Sequence, residues 1–211
     1  NRFQTLSKAG GFPDDSVPSI MEAPPGTLWF ATVSSGLIQM KDCRLTAWDT
    51  KRGLSDNHVR TLYRDGGGRL WAGTVSGGLH VLDGDRLVLV RTLPSRITAL
   101  LAGRHQTIWA GTMGSGLFQF DPARPDVDLP VPPGLENDLI MYLHEDSDGG
   151  IWISVYREGL LHLKDGKPHW LTRKEGLPDD NCYCLLEDGR ANLWVSSNRG
   201  ICRIRRPELR D

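Results

Sequence analysis

The chain has 211 residues, of which 39% are hydrophobic and 24% charged, and a net charge of −1 at pH 7. That is the balance of an ordinary globular domain large enough to bury a sizeable core. It argues against a nucleic-acid binder, which needs a basic face, and no apolar run of 18 residues is present to span a membrane.

The opening "NRFQTLSKAGG" lacks the pattern of a signal peptide and reads as an interior start, within a longer protein or a mature segment. Arg2 to Ser7 is expected to be extended. After the connector "GFPDDSV" comes "GTLWFATVSSGLIQM" from Gly26, and this stretch returns four times. "GRLWAGTVSGGLHVL" begins at Gly68, "QTIWAGTMGSGLFQF" at Gln106, "GGIWISVYREGLLHL" at Gly149 and "ANLWVSSNRGICRI" at Ala191. Trp29, Trp71, Trp109, Trp152 and Trp194 recur at spacings of 42, 38, 43 and 42 residues. A period near forty marks a repeat architecture.

The fourth repeat shows the unit most plainly. "DLIMYLHED" from Asp138, "IWISV" from Ile151, "LLHL" from Leu160 and "PHWLTR" from Pro168 are short apolar runs separated by "SDGG", "YREG" and "KDGK". The last carries the Asp-Gly signature of a hairpin. No stretch keeps a helical period over a useful length. Four short antiparallel strands in about 42 residues predict a blade of a β-propeller. The fold expected is therefore all-β, with strand d at 2–7 and repeats at about 11–52, 53–92, 93–133, 134–175 and 176–206, the third abbreviated.

A blade is one small sheet whose two faces must be covered by its neighbours, so a Trp in every strand b is expected to lie buried between blades. Trp48 and Trp170, in outer strands, are expected to cover blade edges. Asp65, Asp146 and Asp188 end strand a and are expected to accept backbone N–H groups in the turn to strand b. Cys182 and Cys184, two apart, would share a face of a strand, and all four cysteines are expected to be small buried apolar groups. The last repeat has no strand d of its own, while residues 2–7 offer a spare one. Either the two ends combine into a composite fifth blade, or the chain is an arc of a larger ring.

Within this framework, "LWAGTVSGGL", "IWAGTMGSGL" and "LWVSSNRGI", preceded by connectors such as "GLPDDN", resemble the two-component regulator propeller repeats, from about Gly11 to Ile204. The resemblance implies a periplasmic, non-catalytic sensor segment of an inner-membrane histidine kinase or diguanylate cyclase. It implies a ring of seven blades, a small-molecule ligand such as a glycan fragment, and a homodimer formed through the parent receptor.

The residues themselves supply no catalytic or cofactor motif. The six histidines fall at unrelated blade positions, with no HExxH or paired spacing, so no metal is expected. "DSDGG" lacks the later acids of a calcium loop, and the Gly-rich turns precede strands, without the Gly-Lys-Ser/Thr of a phosphate loop. No cofactor is expected. A ligand belongs on the loops at the end of the scaffold formed by the b–c turns and d–a connectors. There the turns of the fourth and fifth repeats replace Ser and Gly with Tyr156, Arg157, Glu158, Asn198 and Arg199. The connectors add Asp14, Asp15, Asn57, His58, Arg96, Asn137, Asp138, Asp180 and Asn181. These groups suit hydrogen bonding to a sugar or clamping of a carboxylate. A protein-docking or dimerisation propeller without a ligand is the alternative. A propeller lyase or hydrolase is a further one, for which no acid/base constellation stands out.

Overall fold

The computed structural model describes residues 3, 5–103 and 107–205. Among the described residues, eighteen strands form five antiparallel sheets. The first sheet comprises β1 (Ser19–Glu22), β2 (Thr27–Ala31), β3 (Leu37–Lys41) and β4 (Arg44–Trp48). The second holds β5 (Val59–Arg64), β6 (Leu70–Thr74), β7 (Gly78–Asp83) and β8 (Arg86–Thr92). The third has β9 (Ile97–Ala102), β10 (Ile108–Thr112) and β11 (Leu117–Phe120). The fourth has β12 (Ile140–Glu145), β13 (Ile151–Val155), β14 (Gly159–Lys164) and β15 (Lys167–Leu171). The fifth has β16 (Cys182–Glu187), β17 (Asn192–Ser197) and β18 (Gly200–Arg205). Each sheet meanders in sequence order, as a propeller blade does.

The third blade has three strands rather than four. Only an isolated bridge, Phe120 to Asp128, stands where strand d would lie. Pro122, Pro125 and Pro130 surround it, and proline removes the ladder donor a strand needs. The expected strand over 2–7 falls partly outside the described residues.

The chain divides into two compact units, residues 1–97 and 98–211. In the first, Trp29, Leu37, Trp48, Val59, Leu62 and Ala72 share one core. In the second, Trp152, Leu160, Leu171, Cys182, Leu185 and Val195 share another. The residue two beyond the strand-b Trp is small because a neighbouring strand a crosses it. A Cβ on Gly73 would lie 2.7 Å from Ile97 Cγ2. On Gly111 it would meet Ile140 equally closely. This is why the motif reads Trp-Ala-Gly.

Four of the five recurrent Trp residues are buried, and Trp152 is fully so. Trp194 departs from the expectation at 39% exposure, and Leu186 and Ile201 flank it on the same uncovered face of the fifth blade at 66% and 74%. Trp48 is core rather than edge, 4% exposed, with its ring 5.6 Å from that of Trp29. A β-bulge between Cys182 and Cys184 turns the first inward and the second out, so they do not share a face. Burial, with Cys202 nearby, pushes the Cys182 thiol up to about 12. Cys43 is exposed at φ 60°, beside Asp42 at φ 49°, so this pair makes the same kind of hairpin as Asp165-Gly166.

Candidate functional site

The a–b turns do what the sequence suggests, and more. Asp65 Oδ1 accepts the Arg69 amide at 2.9 Å, Asp146 Oδ1 the Gly150 amide at 2.9 Å, and Asp188 Oδ1 the Arg190 amide at 2.8 Å. The second oxygen of each accepts the indole N–H of the strand-b Trp six residues on, at 2.9, 3.0 and 2.9 Å. Burial raises the Asp65 carboxyl, but the Trp71 and Arg69 donors outweigh it and leave it below its ordinary value. The first blade has Ala23 at this position, and there the Trp29 indole donates to the Ala23 carbonyl at 2.6 Å. Sequence reasoning missed the indole bond, although the constant six-residue offset between Asp and Trp was visible. These acids are structural.

At the opposite end of each blade the b–c turn is tied to the d–a connector. Backbone bonds are shared: the amides of Val33, Val75 and Tyr156 donate to the carbonyls of Ser16, His58 and Leu139 at 3.3, 3.0 and 2.9 Å. Side chains add to this in three connectors. Asp14, Asp56 and Asp179 each accept the amide two residues on, from Ser16, His58 and Asn181. Asp15, Asn57 and Asp180 each accept the amide seven residues back, from Lys8, Thr50 and Arg173. Asp14 Oδ2 also takes the Ser34 amide and hydroxyl at 2.7 and 2.6 Å, and Asp56 Oδ2 takes the Ser76 amide at 3.2 Å. Burial of Asp14 opposes its ionisation, but the Ser34 hydroxyl, the Ser16 and Ser34 amides and Lys8 bring it down to about 2.

The structure thus sorts the sequence-derived candidates. Asp14, Asp15, Asn57 and Asp180 hold the connectors together. Asn181 donates to Asp179 at 3.1 Å, while its Oδ1 is buried without a partner. His58 is half-buried, and its carbonyl serves the neighbouring turn. Arg96 is half-buried, with its Nε lacking a hydrogen-bond partner. Asn198 accepts the Tyr183 hydroxyl at 2.6 Å, and Arg199 acts electrostatically on Asp179.

The fourth blade is different. Its connector aligns Asn137 with Asp14, Asp56 and Asp179, and Asp138 with Asp15, Asn57 and Asp180. Neither side chain bonds another described residue; only the Asp138 carbonyl is used, accepting the Gly114 and Gly116 amides at 3.2 and 3.1 Å. Burial and the negative charge of Glu136 push the Asp138 carboxyl up. In the turn, Tyr156, Arg157 and Glu158 are all exposed. The Arg157 guanidinium lies 5.1 Å from the Tyr156 ring centre, and its backbone sits at φ 67°, where the third blade has Gly114 at φ 91°. A bulky residue held in the left-handed region is uncommon and concentrates at functional sites.

Residues 11–34 and 53–76 match the family model described as two component regulator propeller. No curated protein matches the chain. Among solved structures it is similar to the extracellular domain assigned to a one component system of B. thetaiotaomicron. The identity is 21% and the TM-score 0.79, over 96% of this chain and 28% of that one. The extracellular domain assigned to a hybrid two component system of the same organism is 23% identical with a TM-score of 0.72, over 89% of this chain and 27% of that one. Virginiamycin B lyase from Staphylococcus aureus is 12% identical with a TM-score of 0.67, over 92% of this chain and 71% of that one. At these identities the likeness establishes the β-propeller fold, and the chain spans little more than a quarter of the receptor domains it resembles. Among the described residues, no helix is long and apolar enough to cross a membrane.

Proposed function

We propose that this chain, whose first two repeats belong to the two component regulator propeller family, is an extracytoplasmic, ligand-sensing segment of a membrane-bound signalling receptor, without catalytic activity. The ligand is a small molecule such as a glycan fragment, and it binds at the b–c end of the fourth blade. One observation carries this reading: the other Asp-bearing connectors use their side chains to brace the fold, whereas Asn137, Asp138, Tyr156, Arg157 and Glu158 have no such employment. A phenol ring, a guanidinium, an amide and two carboxyls are groups that hold a polar ring compound.

A blade held on both faces is a poor switch by itself, and a ligand moves an equilibrium only by its differential affinity for two states. The two states are therefore assigned to arrangements of protomers in a homodimer of the parent receptor, the blades themselves staying as they are. The test is calorimetric titration with a panel of oligosaccharides, repeated with Tyr156→Ala, together with a search for turnover. Saturable binding that Tyr156→Ala weakens, with no product formed, is the expected result. Binding that Tyr156→Ala leaves intact would move the site elsewhere, and turnover would replace the sensor by a lyase.

A further inference from the structure

The sequence separation between connector acid and turn is constant. Asp14 reaches Ser34, and Asp56 reaches Ser76, across 20 residues in each case. At the same separation Asp179 corresponds to Arg199, and Asn137 to Arg157. In the fifth blade a carboxylate stands at the position that faces the turn arginine: Asp179 is lowered first by the Asn181 amide and also by the charge of Arg199, although no ion pair joins the two. In the fourth blade the carboxylate has become an amide of nearly the same shape. Arg157 forms no ion pair with a described residue, and its recorded contact is the ring of Tyr156. The exchange of Asp for Asn removes one negative charge, and the turn stays tied to its connector, because the Tyr156 amide still bonds the Leu139 carbonyl while Arg157 itself sits at φ 67°.

We propose that the b–c turn of the fourth blade is an anion subsite, in which Arg157, resting on the ring of Tyr156, takes a carboxylate of the ligand in place of the acid that Asn137 has displaced. This rests on the reading of that end as the ligand surface and names the chemical class it accepts. A guanidinium presents a planar fork that matches a carboxylate with two parallel N–H···O bonds. Stacked on an aromatic face, it loses little freedom when it binds. The acids around it choose between anions. Glu158 follows Arg157 in the turn, and Glu136 and Asp138 stand in the connector. Carboxyls in the same turn and connector disfavour a doubly charged phosphate more than a singly charged carboxylate. The unbonded Asp138 and Asn137 then offer an acceptor and a donor to the hydroxyls of a ring that bears the carboxylate. An acidic sugar fits this set better than a neutral one.

The experiment is a nuclear magnetic resonance titration of the whole chain with glucuronate, glucose and inorganic phosphate, following the Nε–Hε signals of Arg157 and Arg199. Glucuronate is expected to move the Arg157 signal saturably and leave Arg199 in place, with glucose and phosphate at least tenfold weaker. Asn137→Asp restores the acid found in the fifth blade, where such a chain already folds. It is expected to weaken glucuronate at least tenfold, while Asn137→Ala, which adds no charge and removes only one donor to a ring hydroxyl, weakens it less. An Arg157 signal that stays still, that responds equally to glucose, that responds more strongly to phosphate, or that is unaffected in Asn137→Asp overturns the anion subsite. If neutral oligosaccharides bind calorimetrically and Tyr156→Ala weakens them while Arg157 is silent, the sensor reading stands and this inference falls. If Arg157 responds to glucuronate but no oligosaccharide binds, the subsite stands and the glycan reading falls.

Discussion

In the first blade Asp14 accepts the amide and hydroxyl of Ser34, closing the b–c turn against its connector. In the fourth, the same two positions hold Asn137 and Arg157, and neither bonds a described side chain other than the stacked Tyr156. One main-chain bond is common to both, Val33 to Ser16 and Tyr156 to Leu139, although Arg157 sits in the left-handed region and Ser34 does not. A repeat fold can thus keep a turn tied to its connector by main-chain bonds and release the side chains of a single blade for another purpose. The scaffold loses the stabilisation of one bonded carboxylate there and gains a polar surface in return.

The comparison breaks most visibly in the cores. Trp152→Ala removes a fully buried ring hydrogen-bonded to Asp146, and should cost on the order of 3–5 kcal/mol in urea unfolding. Trp194→Ala touches an indole that is 39% exposed, and is expected to cost less than half as much. Equal losses would show that the uncovered face of the fifth blade is packed in solution. Next in size are the connectors. Asp14→Ala leaves the Ser16 and Ser34 donors without their acceptor and is expected to cost about 1–3 kcal/mol. Asn137→Ala is expected to fall within about 0.5 kcal/mol. A large loss at Asn137 would mean that the fourth connector is braced like the others.

Strand and turn positions were legible because most repeats state them again: the Trp interval, hairpin pairs such as Asp165-Gly166 and connectors such as residues 176–180 all have local physical causes. The departures arise where tertiary contacts decide. Trp48 looks peripheral in sequence, but it ends β4 opposite Leu37 and packs its ring against that of Trp29 at a 59° tilt. The bulge at Tyr183 shifts the register by one and sends Cys184 outward, and simple alternation has no means of anticipating an unpaired residue. The candidate site was legible as a list of polar residues and no further. Asp180 and Asn137 look alike as connector residues. Only the bond from the Arg173 amide to Asp180 shows that one is structural, and the lack of any such bond leaves the other free.

The acid limb of stability sharpens the same contrast. The folded carboxyl of Asp14 is lowered from 3.8 to about 2. A depressed pKa means that the unfolded chain binds the proton first, so the stabilisation from Asp14 is complete above about pH 4 and disappears as pH falls through about 2. Asp14→Asn should be less stable than the parent at pH 6, and the difference should shrink by pH 2.5. Urea midpoints at the two values measure it. Asn137→Ala has no carboxylate to titrate and should show a pH-independent difference. A gap for Asp14→Asn that stays constant with pH would place its carboxyl in an ordinary environment.

The smallest effect on stability is expected where the effect on signalling is largest. Arg157→Ala and Arg199→Ala alter exposed turn residues and should each shift stability by no more than about 0.5 kcal/mol. Arg157→Ala keeps a Cβ in the left-handed region; Arg157→Gly, which adopts φ 67° without strain, is the cleaner variant. In a full-length receptor, Arg157→Gly is expected to lower the response to the inducing ligand at least tenfold. Arg199→Ala should have a weaker effect, because the aligned connector position there holds the carboxylate of Asp179, which the Arg199 charge helps to lower. The two arginines occupy matching turns, so a general loss of positive charge at this end would affect them alike. Equal loss in both variants would replace a specific subsite by a diffuse electrostatic surface, and a normal response in both would move recognition to another part of the receptor.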